Sequence, residues 1–110
     1  MPHAEVCYSS DLSLDPAAVL GRIEEVLQTH DLGSGACKGR AYPTDIFHHT
    51  HFLARVSLLA QPHRDAAFNA SLSADLEAAI KACIAEPCMF TLDISFSSQI
   101  YITNDHQGAG

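Results

Sequence analysis

The chain has 110 residues, of which 47% are hydrophobic and 17% are charged, and its formal net charge is −7. This length and composition predict one folded domain, residues 1–110, with its own core, and they exclude a disordered chain. With six Lys and Arg and no basic cluster, the chain has no surface suited to a phosphate backbone, so we expect no nucleic-acid partner.

The first elements are a strand and a helix. Residues 3–8 alternate between apolar and polar side chains, which is typical of a strand. Asp15 followed by Pro16 is typical of a helix N-terminus, and apolar residues recur behind them at helical spacing. Gly33 and Gly35 are expected to end this helix.

Two further strands are predicted in the middle of the chain. Residues 36–42 form the weaker one, because Gly39 interrupts it. A histidine-rich loop is expected from Pro43 to His51. Residues 52–60 form the clearest strand, and we expect both of its faces to be largely apolar and therefore covered.

The last elements are a second helix and a fourth strand. An apolar stripe predicts a helix from Asp65 to Ile84, and residues 88–96 alternate again. The polar end of the chain, residues 103–110, is predicted to be a flexible tail.

The element order predicts an α+β fold. Two β-α-β units of similar length are expected to share one four-stranded mixed sheet, with both helices on one face. The other sheet face would then be bare in a monomer. Because the strands at 52–60 and 88–96 carry apolar residues there, we expect an oligomer to cover that face.

The four cysteines form no C-x-x-C pair and do not cluster with histidine at zinc-like intervals. Glu5 interrupts the apolar start, so no secretory segment is predicted, and no apolar run has the length of a membrane span. These observations favour a cytoplasmic protein with reduced thiols and no membrane partner.

Pro2 is the first candidate for chemistry. Methionine is usually trimmed before a small residue, and Pro2 would then offer a secondary amine. Such an amine serves as a base near neutral pH when burial or neighbouring cations disfavour its charged form. The alternative is that Pro2 has no chemical role.

The cations are the second candidate. Lys38 and Arg40 lie two residues apart, so on a strand they face the same side. Arg64 precedes the second helix, where helical N–H groups also favour an anion. Three cations that converge in an acidic chain indicate a ligand with a carboxylate, although they could also be solvated surface charges.

The histidines carry no strong signal for a metal. His48, His49 and His51 are not followed by a carboxylate or cysteine at a ligand interval, so we predict no metal site. His3 is a candidate residue of the cleft.

These features resemble one known family. The start Met1-Pro2-His3, a strand, a helix and then the segment at 35–41, GACKGRA, are similar to 5-carboxymethyl-2-hydroxymuconate isomerase of the tautomerase superfamily. Residues 51–60 resemble the strand before that family's second helix, and Arg64 falls where the family carries an arginine. Lys38 departs from the pattern, since the family more often has arginine there, and the chain after Phe96 matches poorly.

The resemblance implies a homotrimer in which helices surround an inner barrel, with active sites at subunit boundaries. It implies that Pro2 is the base and that Arg40 is catalytic, stabilising negative charge on the substrate oxygen. Lys38, Arg64 and His3 would bind a small carboxylate substrate. No metal or organic cofactor is implied. The reaction would convert an unsaturated 2-hydroxy acid into its 2-oxo isomer during degradation of aromatic compounds.

Two alternatives stay open. The first is another reaction of the same superfamily, such as hydrolytic dehalogenation or tautomerisation of a monoacid like phenylpyruvate. The second is a trimeric binding protein that keeps the fold without the activity.

Overall fold

The structure, a computed structural model, describes residues 2–110, so the predicted removal of Met1 concerns a residue outside the described part of the chain. Four strands and two helices follow one another as predicted, with a short 3₁₀ turn after the first helix. Their bounds are β1 His3–Ser9, α1 Pro16–His30, the 3₁₀ turn Leu32–Ser34, β2 Lys38–Thr44, β3 His51–Leu58, α2 Ala66–Lys81 and β4 Met89–Phe96.

Both helices begin at an aspartate that the sequence identifies. The Asp15 carboxylate accepts hydrogen bonds from the Ala17 and Ala18 N–H groups, with Pro16 in the first turn. The Asp65 carboxylate accepts from the Phe68 N–H. These bonds satisfy N–H groups that have no partner within a helix, which is why the two helices start where they do.

The four strands form one mixed sheet in the order β2-β1-β3-β4. β1 is parallel to β2, β1 is antiparallel to β3, and β3 is parallel to β4. Both β-α-β units therefore contribute to a single sheet, as predicted. β1 and β2 begin at the same end of the sheet at which β3 and β4 finish.

The core lies between the sheet and the two helices. Phe52 of β3 is fully buried at its centre, with its ring stacked 5.6 Å from that of Phe90 and 6.4 Å from that of Tyr8. Val19 and Ile23 of α1 are fully buried with it. One face of the sheet is thus covered by both helices, which confirms the predicted layer arrangement.

The second strand is displaced by two residues from its predicted position and includes Pro43. Proline fits because β2 is an edge strand and position 43 does not donate to β1. Gly39 has a packing role, since a Cβ atom there would lie 3.0 Å from Leu20 Cδ2 of α1. The loop expected from Pro43 therefore begins only after Thr44.

Helix ends also differ slightly from the expectation. α1 stops at His30, because Asp31 adopts an extended conformation, and α2 stops at Lys81, three residues before Ile84. Within residues 2–110, neither helix combines the length and the apolar character that crossing a membrane requires.

The uncovered face of the sheet is mostly polar on β3 and β4, where largely apolar faces were expected. On β3 the residues facing away from the helices are His51, Leu53, Arg55 and Ser57, and on β4 they are Met89, Thr91, Asp93 and Ser95. Leu59 lies beyond the end of β3 and does not contribute. The bare face is therefore less apolar than expected, although Met89 of β4 and Tyr42 of β2 are 70% and 50% exposed on it. We call this surface the open face.

Candidate active site

Pro2 lies at the end of the sheet where β1 and β2 begin. It is buried, and its carbonyl oxygen accepts a hydrogen bond of 2.9 Å from the Lys38 N–H. This bond places the first residue of β2 directly beside the proline. Lys38 itself is exposed, so its ammonium group is available to a ligand near this end.

His3 and Arg40 share a cavity on the open face. His3 is paired in register with Lys38 on one side and with Ser57 on the other. The cavity measures about 220 Å³, and it is lined by His3, Glu5, Arg40, Arg55, Ser57 and Ser95. The structure therefore brings together two of the predicted site residues, and we call this space the open-face cavity.

Arg40 is engaged by Glu5 across the two strands. Arg40 Nη2 lies 2.5 Å and Nε 3.1 Å from the same carboxylate oxygen, Glu5 Oε1. The hydrogen bond and charge of Glu5 raise the pKa of Arg40. Both side chains remain about two-fifths exposed, at 41% and 37%. Exposed ion pairs of this kind are weak, so a substrate carboxylate could replace Glu5.

Arg64 has a different environment. Its side chain is only 6% exposed, and Nε and Nη2 lie 3.1 and 2.7 Å from Asp31 Oδ2. Nη1 donates to the Leu59 carbonyl oxygen at 2.5 Å. Three of its five N–H donors are thus in use, and the guanidinium joins the end of α1 to the loop before α2.

Asp31 receives several donors at once. His63 Nε2 lies 2.7 Å from Oδ2, and the Gly33 N–H donates to Oδ1 at 3.0 Å. The hydrogen bond from His63, followed by that from Arg64, lowers the pKa of Asp31 to about 2. Arg64 therefore faces a fully ionised carboxylate at neutral pH, and its predicted part in substrate binding would require exchange with Asp31.

Cys37, which precedes β2, is not an activated nucleophile. Burial, followed by the nearby charge of Glu24, raises the pKa of the Cys37 thiol to about 11. The thiol is therefore neutral at physiological pH, whereas the reactive form of cysteine is the thiolate. All four cysteines are free and partly buried.

The histidine-rich loop lies at the other end of the sheet, where β3 begins. His51 Nδ1 lies 2.9 Å from the His49 carbonyl oxygen, and His49 has a positive φ of 66°. Within residues 2–110, no three His, Cys, Asp or Glu side chains are grouped to hold a metal ion.

Arg55 is the residue that sequence reasoning missed. Its place on the polar side of β3 follows from the strand alternation, but its proximity to His3 and Arg40 does not. The sequence feature that could have indicated it is a single charged residue, Arg55, within the mostly apolar segment 52–60. Only the register, which sets Arg55 opposite Glu5, brings it into the open-face cavity.

The fold places the chain in a class of small α+β proteins built from two β-α-β units on one sheet. No protein-family model matches the sequence, and no curated protein matches it significantly. Solved structures do match over nearly the whole chain, and they share the predicted fold.

A crystal structure of 5-carboxymethyl-2-hydroxymuconate delta-isomerase aligns with a TM-score of 0.73 and 20% identity, over 96% of this chain and 89% of that one. A 5-carboxymethyl-2-hydroxymuconate isomerase from Deinococcus radiodurans R1 aligns with a TM-score of 0.70 and 19% identity, over 94% and 90%. A fused 4-OT symmetric trimer aligns with a TM-score of 0.62 and 15% identity, over 86% and 83%. The predicted resemblance is confirmed for the fold.

Proposed function

We propose that the chain is a cofactor-independent isomerase that moves a proton within a small unsaturated 2-hydroxy or 2-oxo acid. The observation that carries the proposal is the agreement of the whole fold with solved 5-carboxymethyl-2-hydroxymuconate isomerases. The burial of Pro2 at the start of the sheet supports it further. We propose 5-carboxymethyl-2-hydroxymuconate, or a closely similar diacid, as the substrate.

The proposed base is the secondary amine of Pro2, freed by removal of Met1. Burial disfavours the charged ammonium, which leaves the amine able to accept a proton at neutral pH. It would take the proton of the enol hydroxyl and return it to a carbon of the conjugated chain. The product is the 2-oxo isomer, and no electrons are gained or lost overall.

The proposed partners of this base are nearby cations. A dienolate forms as the proton leaves, and fixed positive charge stabilises it most where the charge develops. We propose that Arg40 acts on that charge, and that Lys38, Arg64 and His3 bind the substrate. Lys38 has the most direct support, since its N–H is bonded to Pro2 and its side chain is exposed.

The test compares wild type with Pro2→Ala and Arg40→Ala on a panel of enol diacids and monoacids, followed by ultraviolet absorbance. Alanine at position 2 still permits removal of Met1 but offers only a primary amine. We expect Pro2→Ala to lose about 10²- to 10⁴-fold in turnover, as when a general base is removed. Arg40→Ala should chiefly lower kcat, because Arg40 is proposed to stabilise charge that develops as the proton leaves. Pro87→Ala, at an exposed proline before β4, is the matched control and should behave as wild type.

Intact mass supplies the second readout. The proposal expects the native protein to lack Met1, and a retained Met1 contradicts it. Turnover of monoacids alone would indicate another reaction of the superfamily. Equal and measurable rates in wild type and Pro2→Ala would exclude Pro2 as the base. No turnover by wild type on the whole panel would favour the non-catalytic binding protein.

A further inference from the structure

Four charges form a row across the open face, one on each strand. Arg40 of β2 is paired in register with Glu5 of β1, Glu5 with Arg55 of β3, and Arg55 with Asp93 of β4. The signs alternate along the row, so each charge has an opposite neighbour. Among the described residues, however, Arg40 and Glu5 form an ion pair, whereas Arg55 and Asp93 do not.

Arg55 has no ion-pair partner within residues 2–110. Glu5 is bound to Arg40, and no carboxylate oxygen of the described residues lies within 4.0 Å of the Arg55 side-chain nitrogens. The chain has six Lys and Arg, and four of them, Arg22, Arg40, Arg64 and Lys81, are in ion pairs. The two others, Lys38 and Arg55, both lie on the open face.

The surroundings of Arg55 suit an anion. Ser57 and Ser95 line the same open-face cavity as Arg55, and hydroxyls donate hydrogen bonds to carboxylates. Its lining holds Arg55, Arg40 and Glu5, and Glu5 is already bound to Arg40. Asp93 is level with Arg55 on β4 but, within residues 2–110, makes no ion pair with it, so no direct contact neutralises the charge of Arg55. Arginine also presents paired N–H donors that match a carboxylate.

Lys38 and Arg55 lie on the two strands that flank β1. Lys38 is level with His3, and Arg55 is level with Glu5, two residues further along β1. Strand spacing and rise put their Cα atoms roughly 12 Å apart. Two long side chains at this separation can reach the two ends of one small diacid.

We propose that Arg55 binds one carboxylate of a small dicarboxylate in the open-face cavity, with the other carboxylate near Lys38, and that Arg55 thereby selects diacids over monoacids. The claim that this diacid is the substrate rests on the proposed function, but the binding itself does not require catalysis. Arg55 is thus a specificity-determining residue, and no chemical step is assigned to it.

The experiment measures binding of maleate, a diacid, and acrylate, a monoacid, by calorimetry in wild type, Arg55→Gln, Arg55→Lys and Arg22→Gln. Arg22→Gln removes the same charge from α1, where Arg22 is paired with Glu25. We expect Arg55→Gln to weaken maleate binding by about tenfold or more, the usual loss for a hydrogen bond to a charged group. Arg55→Lys should recover part of this, and Arg22→Gln should match wild type. Acrylate affinity should change less than maleate affinity in every variant.

The same titration in the Pro2→Ala background separates this proposal from the proposed function. Weaker maleate binding in Arg55→Gln supports the diacid site even if no turnover is ever found. Unchanged maleate affinity, or no maleate binding by wild type, overturns it even if the chain isomerises monoacids. A loss of oligomer mass in Arg55→Gln with unchanged maleate affinity would assign Arg55 to a subunit contact and also overturn it.

Discussion

Two arginines of this chain show how burial decides what a cation can do. Arg40 is 41% exposed, and its single carboxylate partner is itself accessible to water. Arg64 is 6% exposed and is held by both Asp31 and a backbone carbonyl. A ligand can compete for Arg40 at small cost, whereas reaching Arg64 means breaking a buried ion pair.

The Asp31–Arg64 pair leads to a prediction about stability. Asp31→Asn removes the charge that Arg64 faces while keeping the shape of the side chain. We expect it to lower the free energy of unfolding by about 2 kcal/mol, because Arg64 would stay buried with weaker partners. Urea unfolding at pH 7 measures this, and Asp45→Asn, in an exposed loop, is the matched control.

The pH dependence of the free energy of unfolding under acid conditions tests the same pair. The folded-state pKa of Asp31 is about 2, below its ordinary value of 3.8, so its contribution is complete above about pH 4. That contribution is lost as the pH falls from about 4 towards 2, because protonation favours the unfolded chain. Stability of wild type should therefore fall more steeply over this range than that of Asp31→Asn. Parallel pH profiles would contradict the assignment.

At the scale of elements, the helix caps give the clearest prediction. Asp15→Ala and Asp65→Ala should each lower the free energy of unfolding by about 1 kcal/mol, since each removes the acceptor for N–H groups of a first turn. α1 follows β1 and α2 follows the antiparallel β3, so the two caps lie at opposite ends of the sheet. Their effects should add in the double variant. Asp45→Ala is the control, and urea unfolding is the measurement. A cost no larger than that of the control would show that the caps are unimportant.

Local signals explain why most elements could be predicted from the sequence. The alternation in β1 and β4 and the aspartates before α1 and α2 act over a few residues, and the structure confirms all four elements. The predicted bounds of β2 are two residues too early, because Gly39 and Pro43 are residues that usually interrupt a strand. Here Gly39 allows the close approach of Leu20, and Pro43 is tolerated because β2 is an edge strand.

The candidate site was harder to predict from the sequence, because its contacts join residues that are far apart in the chain. Arg40 meets Glu5 35 residues away in sequence, and Arg64 meets Asp31 33 residues away. Composition and spacing identify these cations as unusual. They do not indicate which carboxylate each one faces, and they gave no reason to single out Arg55.

At the scale of the whole molecule, we propose a homotrimer with active sites at subunit boundaries. Several large apolar side chains are exposed on the described residues. Ile46 is 93% exposed, and Ile100 and Ile102 in the segment after β4 are 89% and 85% exposed. Such residues favour a contact with another copy.

Sedimentation equilibrium should give a mass three times that of the 11.8 kDa chain. The double variant Ile100→Ser with Ile102→Ser should shift the equilibrium towards monomer, because it removes apolar surface available for burial. Ser98→Ala with Gln99→Ala, in the same exposed segment, is the control. A monomeric wild type at micromolar concentration would contradict the trimer.

The proline in β2 has a further consequence, for aggregation. Lys38 donates its N–H inward to Pro2, so the alternation of a strand points the N–H groups of positions 39, 41 and 43 outward. Pro43 has no backbone N–H group to donate. A foreign strand laid along this border finds donors only at Gly39 and Ala41, too few to template a long ladder. We therefore expect the β2 edge to be a poor template for fibril growth beyond its first residues.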